Sequence, residues 1–165
     1  MSSASRDYGA KFGTYPSLGD NGPLRGWLGE LYDGSLRTPA FVNWPGVLEP
    51  RVVTAVVSVL DWYPTLSTLV GRTPAKELGL EGRDVWPLLE GRGAVETTEL
   101  YWKTSRGAAV RHGKWKLVVH RRPSSLELFR MDLDPHENKN VSLEFPDQVK
   151  RLQELLERHR ALDPK

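Results

Sequence analysis

The spacing of apolar residues changes along the chain from broken runs to alternation and then to a helical period. Residues 1–35 are interrupted by glycine and proline, which predicts a loop-rich, poorly ordered segment. The apolar run Pro39–Trp44 is typical of a buried strand, and the β-branched run Val52–Leu60 of a strand or an extended approach to the next element. A short helix should follow, with Asp61 as its N-cap and Gly71 at its C-terminal end.

The second half of the chain reads as a small sheet followed by a helix. Its strand-like runs are Leu100–Trp102, Ala108–Arg111, Lys114–Val119 and Leu126–Arg130, with a tight turn at His112-Gly113 between the second and third. Residues 146–162 have helical amphipathic spacing. Its predicted apolar face consists of Val149, Leu152, Leu155, Leu156 and Leu162. We therefore divide the chain into residues 1–92 and residues 97–165.

Composition limits the classes of function. Hydrophobic residues make up 39% and charged residues 27%, as in globular proteins, and the net charge of +2 is too small to indicate nucleic acid. No apolar run approaches the ~20 residues of a membrane span, and the first residues lack the apolar core of a signal peptide. Because there is no cysteine, disulfides and thiolate metal sites are excluded. The compartment stays undetermined.

The segment Leu24–Pro39, continued by an apolar run and Trp44-Pro45-Gly46, resembles a signature of the sulfatase family. In that family it reads approximately Leu-Arg-Gly-x-Lys-Gly-x-x-x-Glu-Gly-Gly-x-Arg-x-Pro, followed by a strand and Trp-Pro-Gly. Further blocks that resemble the family are Val57–Leu66, Leu80–Leu89, Val110–Leu117, Glu127–Phe129 and Asp134–Glu137 with Asn140. These blocks stand in the family's order and cover most of the chain.

The resemblance implies the C-terminal part of an arylsulfatase-like enzyme of the alkaline-phosphatase-like superfamily. The implied fold is an α/β superfamily fragment: the edge of the large α/β sandwich, then a small antiparallel sheet with a C-terminal helix (α+β). The family's nucleophile is a formylglycine made from a Cys/Ser-x-Pro-x-Arg motif upstream, and this motif is absent here. The nearest string begins at Asn21, which cannot become an aldehyde. We therefore expect the chain alone to be inactive as a sulfuric ester hydrolase.

Two positions of the family's site should fall within this chain. Leu28 stands where the family has a lysine that binds the sulfate, so no catalytic residue is assigned. The calcium pair Asp-Asn matches Asp7-Tyr8 by spacing, which leaves Asp7 as the candidate ligand and the calcium site incomplete. Alternatively, Asp7 is a solvated residue without a metal. A literal Asp20-Asn21 lies too near Leu24 to match.

Other functions stay open. The chain could instead be a pseudo-enzyme or binding module for a sulfated glycan or a protein partner, with Arg25, Trp27, Arg37 and the Arg121-Arg122 pair as contacts. An N-terminal sulfatase half, or self-association, would cover the exposed strand near residue 41. Neither a nucleic acid nor a membrane is expected as a partner, although family members are commonly exported. Within the signature, Asp33 and Arg37 are expected to form a buried ion pair.

Overall fold

The computed structural model describes residues 20–72, 79, 81–93 and 99–163. These residues form two compact units. We call residues 20–38 with 99–163 the sheet unit, and the described residues of 39–93 the middle unit. No helix in the described residues is long and apolar enough to cross a membrane.

The regular elements follow one another in a simple order. The helices are α1 (Asp33–Leu36), α2 (Trp62–Leu69), α3 (Trp86–Leu89) and α4 (Pro146–Ala161), and the strands are β1 (Glu99–Thr104), β2 (Gly107–His112), β3 (Trp115–Arg121) and β4 (Ser124–Arg130). The strands form one antiparallel sheet in the order β1-β2-β3-β4. The predicted antiparallel sheet and C-terminal helix are therefore confirmed.

The tight turn between β2 and β3 lies one residue later than predicted. His112 pairs directly with Trp115, so the two loop residues are Gly113 and Lys114. Gly113 has φ 58°, which a glycine at the first loop position adopts at little cost.

One face of the sheet packs against α4. The buried residues of this core are Ala108, Val110, Leu117, Leu128, Val141, Leu152, Leu155 and Leu156. They follow the period of two in the strands and the period of three to four in the helix. Leu162 was predicted on the same helix face, but it follows the end of α4 and is 77% exposed.

The opposite face of the sheet is covered by the segment around α1. Leu31 and Tyr32 pack there with Phe129, within a cluster that also contains Ala109, Val118 and Met131. Leu31 is only 1% exposed. The structure thus differs from the predicted division, because the described part of residues 1–35 packs with the sheet rather than with residues 39–92. Residues 1–19 lie outside the described residues.

The middle unit contains no β-strand within its described residues. The strand predicted at Pro39–Trp44 is not formed. The run Val52–Leu60, predicted as a strand or an extended approach, contains no strand and leads into a 3₁₀ turn that begins at Val59. A strand needs a hydrogen-bonding neighbour, and the described part of this unit supplies none. Phe41 is 92% exposed and Val52 89% exposed as a result.

Asp61 occupies the N-cap position of α2, as the sequence predicted, but its side chain does not cap that helix. It lies at the end of the 3₁₀ turn and makes no cap hydrogen bond to α2. Its carboxylate accepts the backbone N–H of Ser58 at 2.8 Å and that of Arg83 at 3.0 Å. Asp61 therefore ties two distant segments of the middle unit together while only 2% exposed.

Candidate functional site

The docking loop, which we define as residues 24–37, is the part of the sheet unit that carries the sulfatase-like signature. Two glycines allow its path: Gly26 has φ 97°, and a Cβ on Gly34 would lie 2.5 Å from the carbonyl oxygen of Arg25. The Gly34 N–H donates to that same oxygen at 2.7 Å. The loop is therefore closed on itself where α1 begins, and a side chain larger than hydrogen does not fit at residue 34.

A buried ion cluster, formed by Asp33, Arg111, Lys116 and Glu137, fixes this loop to the sheet. Lys116 Nζ lies 2.7 Å from Asp33 Oδ1 and 2.7 Å from Glu137 Oε1. The Lys116 and Glu137 side chains are completely buried. The backbone N–H of Asp33 also donates to Glu137 Oε2 at 2.6 Å, so both ends of the Glu137 carboxylate are engaged. Because Lys116 belongs to β3 and Glu137 follows β4, one lysine joins the loop to two parts of the sheet unit.

The partner of Asp33 is not the one that the sequence predicted. Arg37 is exposed, and its backbone N–H rather than its side chain contacts Asp33. Lys116 takes the carboxylate instead, with Arg111 Nη1 at 3.9 Å on the other oxygen. Asp33 pairs with Lys116 because this buried lysine has only carboxylates to balance its charge. The exposed Arg37 is instead solvated by water.

Burial governs the electrostatics of the cluster. Removal from water raises the pKa of the Glu137 carboxyl, and the Lys116 ammonium opposes that rise. Burial likewise lowers the pKa of the Arg111 guanidinium, against the pull of Asp33. The cluster therefore contains two cations and two carboxylates that compensate one another.

A second set of contacts, the polar network of Arg25, Tyr32, His120 and Glu127, lies at the other end of the loop. Arg25 Nη1 is 3.2 Å from Glu127 Oε1, and its Nη2 donates to the Tyr32 hydroxyl at 2.9 Å. Tyr32 donates in turn to Glu127 Oε2, and His120 Nε2 lies 2.8 Å from that oxygen. Arg25 also donates to the Glu137 carbonyl at 2.8 Å and stacks over the Tyr32 ring at 3.9 Å. The network thus holds the first turn of the loop on β3 and β4.

The network keeps its acid charged and its phenol neutral. Burial alone would raise the pKa of Glu127, but hydrogen bonds from Tyr32 and His120 and the Arg25 charge hold it below its ordinary value. Burial, together with the hydrogen bond to Glu127, raises the pKa of the Tyr32 hydroxyl far above 10. Tyr32 is consequently a hydrogen-bond donor here and not a phenolate nucleophile.

Leu28 lies in the turn between these anchors. Its side chain is 83% exposed, and Gly29 next to it has φ 88°. The loop therefore presents residue 28 to solvent, where the resemblance places a lysine. An isobutyl group at that point supplies no positive charge to a sulfate.

The remaining predicted site residues occupy different surroundings. Trp27 is half-buried, and its backbone N–H donates to Glu30 Oε2 at 3.0 Å. Arg37 is exposed beyond α1. Asp7 and Tyr8 lie outside the described residues.

The resemblance implies a calcium ion, and its candidate ligands, Asp7 and Tyr8, lie outside the described residues. Of the pair, a protonated tyrosine is a poor ligand for a hard cation. Within residues 20–72, 79, 81–93 and 99–163, no group of three His, Cys, Asp or Glu side chains is arranged to hold a metal ion.

Sequence reasoning missed the residues that fix the loop. His120, Lys116 and Glu137 were not singled out, although the last two lie in blocks that resemble the family. The available signal for Lys116 was its place between Trp115 and Leu117 on a strand, where alternation points it to the face opposite α4. A lysine at a predicted core position needs a buried carboxylate, and the structure supplies two, Asp33 and Glu137.

Comparison with known proteins gives one consistent group. Residues 26–162 match the family model described as "N-sulphoglucosamine sulphohydrolase, C-terminal". Human arylsulfatase A is 40% identical over 104 residues, which are 59% of this chain and 20% of that protein. Bovine arylsulfatase A is 32% identical over 161 residues, or 79% of this chain and 31% of that protein. The chain therefore spans a fifth to a third of these relatives' length.

The fold of the chain also recurs among solved structures. A structure reported for the metabolism of multiple glycosaminoglycans by Bacteroides thetaiotaomicron superposes with a TM-score of 0.73 at 21% identity. The match covers 84% of this chain and 32% of that one. At this identity the likeness establishes the fold alone.

Proposed function

Because this chain belongs to the sulfatase family through the match to its C-terminal domain, we propose that it serves as the C-terminal module of a sulfatase and does not hydrolyse sulfate esters alone. One observation carries the proposal. The docking loop is anchored to the sheet through Asp33, Lys116 and Glu137, but it presents Leu28 to solvent instead of a cation.

The missing nucleophile supports the same conclusion. Covalent sulfate transfer by this family needs an aldehyde derived from cysteine or serine in a Cys/Ser-x-Pro-x-Arg motif, and these 165 residues contain neither a cysteine nor that motif. In the polar network, Tyr32 is held protonated by burial and by its bond to Glu127, so it offers no substitute.

The rest of a sulfatase is the partner that the proposal requires. The middle unit exposes apolar side chains that a folded protein ordinarily covers, among them Phe41, Val52 and Val59, which are 92%, 89% and 80% exposed. The matched relatives are three to five times longer than their matched segments, which is enough chain to provide such a cover. Self-association of this chain is the competing way to bury the same surface.

The experiment is an assay of sulfate-ester hydrolysis by the purified 165-residue chain. The chain is incubated with 4-nitrocatechol sulfate and calcium, and a heat-denatured sample sets the background. We expect no release of 4-nitrocatechol above background. Turnover that rises linearly with the concentration of the chain and survives a further chromatographic step would overturn the proposal.

A second candidate function is recognition of a sulfated saccharide without hydrolysis. Exposed basic residues support it, since the Arg121 and Arg122 side chains have no acidic partner among the described residues. Arg25 is a weaker candidate contact than its sequence position suggests, because its guanidinium is already bound to Glu127, Tyr32 and the Glu137 carbonyl. Titration of the chain with a sulfated glycan, compared with Arg25→Ala, tests it: a flat profile would remove the candidate.

A further inference from the structure

We propose that a depression on the α4 side of the sheet binds a sulfate group of a sulfated saccharide. It has a volume of about 600 Å³ and is lined by Lys103, Gly107, Val119, His120, Arg121, Ser124, Arg160 and Asp163. We call it the basic depression after Lys103, Arg121 and Arg160; the imidazole of His120 is already held by Glu127, with its Nε2 at 2.8 Å from Oε2. Ligand pockets of roughly 300–1,000 Å³ accommodate small organic molecules. The choice of a sulfated saccharide rests on the proposed sulfatase ancestry; the anion site itself rests on the contacts below.

The floor of the basic depression is built by close strand packing. A Cβ at Gly107 would lie only 2.1 Å from the carbonyl oxygen of Val119, so the strands approach closely because residue 107 has no side chain. The Arg121 N–H donates to the Arg106 carbonyl at 2.7 Å, which ties the β1–β2 turn to the end of β3. This bond fixes the backbone of Arg121 and leaves its exposed side chain at the rim.

The charges lining the depression are unbalanced. Asp163 is its one acidic lining residue, and its carboxylate already accepts Lys103 Nζ at 2.7 Å and the Tyr101 hydroxyl at 3.0 Å. Those bonds hold the pKa of Asp163 below its ordinary value. Arg160 pairs at 2.6 Å with Glu157, whose side chain is 66% exposed, so water screens that pair. Arg121 has no acidic partner within the described part of the chain.

An oxyanion would complete this arrangement. Arg121 and Arg160 present guanidinium groups, which form paired N–H···O bonds with planar or tetrahedral oxyanions. The Ser124 hydroxyl can donate a further hydrogen bond, and Val119 offers an apolar surface for the ring of a sugar. Because Lys103 is paired with Asp163 and Arg160 with Glu157, Arg121 supplies the surplus positive charge that favours an anion over a cation here.

The test uses the full chain labelled with ¹⁵N and titrated with a fully sulfated heparin disaccharide, monitored by amide chemical shifts. The same disaccharide after desulfation, inorganic sulfate and inorganic phosphate are the comparison ligands. We expect saturable shifts at Gly107, Arg121 and Ser124 with the sulfated disaccharide only. Arg121→Gln and Arg160→Gln should each weaken binding at least tenfold, as expected for loss of a charge-assisted hydrogen bond.

The matched control is Lys114→Gln, which removes one positive charge from the exposed turn at the opposite end of the sheet. It should change affinity less than twofold, and circular dichroism should give every variant the wild-type melting temperature. No saturable shift, an equal loss in the control, or equal binding of the desulfated disaccharide or of the inorganic ions would each overturn the proposal. The hydrolysis assay does not involve this depression, so failure here leaves the proposed function standing.

Discussion

Replacing Lys116 by methionine should lower the free energy of unfolding of the sheet unit more than the same replacement of an exposed lysine. The lysine side chain is completely buried and contacts two carboxylates at 2.7 Å. Methionine keeps the apolar stem but leaves Asp33 and Glu137 facing each other without their cation. Removing one partner of a buried ion pair costs about 3–5 kcal/mol, and we expect a loss of that size in the free energy of unfolding.

The same geometry predicts strong coupling in a double-mutant cycle. In Lys116→Met with Glu137→Gln, the fully buried uncompensated carboxylate is gone, while Arg111 still lies 3.9 Å from Asp33. The double variant should therefore be more stable than Lys116→Met alone, with a coupling energy of roughly 1–3 kcal/mol. Glutamine can also keep the hydrogen bond from the Asp33 N–H, because its side-chain oxygen replaces Oε2.

The assay is urea unfolding followed by far-ultraviolet circular dichroism. Exchange of the Val118 amide proton, in the buried middle of β3, identifies the transition that belongs to the sheet unit. Lys150→Met is the matched control, since that lysine is exposed on α4 and should lose less than about 0.5 kcal/mol. A loss below about 1 kcal/mol in Lys116→Met would refute the reasoning that this lysine anchors the docking loop.

Two further predictions concern the same loop. The pKa of Glu127 is held below its ordinary value, so its ionised form stabilises the fold above about pH 4.3, and this stabilisation is lost as the pH falls through the lower folded pKa. Glu127→Gln should therefore flatten the rise in melting temperature between about pH 3 and 6, whereas the exposed-site control Glu154→Gln should not; equal profiles would contradict the assignment. Gly34→Ala should lower the free energy of unfolding in urea by about 1–3 kcal/mol, because its Cβ would collide with the Arg25 carbonyl. The control Ser35→Ala should have nearly the wild-type stability. An unchanged stability of Gly34→Ala would show that the loop is not closed there.

The strands and the C-terminal helix of the sheet unit could be predicted from the sequence, because the spacing of apolar residues within each element indicates its type. The alternation of β2 and β3 and the amphipathic spacing of Leu152, Leu155 and Leu156 predicted the sheet and its covering helix. The segments around Phe41 and Val52 form no strand for the opposite reason; the first was predicted as a strand and the second as a strand or an extended approach. Their composition favours a strand, but strand formation depends on a neighbouring strand that the described part of this chain does not contain.

The anchoring of the candidate site depended on contacts between distant residues. Asp33 was correctly singled out as a buried ionic partner, but its nearest basic residue in sequence, Arg37, was chosen over Lys116, which is 83 positions away. Sequence spacing cannot rank such pairs, because burial decides which cation needs the carboxylate. Leu28 was identified from the family signature alone, and the structure adds that its side chain is exposed.

In the proposed function, the docking loop is anchored to the sheet while residue 28 lacks the positive charge that hydrolysis of a sulfate ester needs. The most direct test is a chimeric bovine arylsulfatase A in which residues 20–163 of this chain replace the matching segment. The quantity to measure is kcat/KM for 4-nitrocatechol sulfate, with Leu28 retained and with Leu28→Lys, in chimeras of equal melting temperature. We predict that Leu28→Lys raises kcat/KM by about a hundredfold or more. Equal rates in the two chimeras, whether high or at background, would show that the charge at residue 28 does not limit hydrolysis.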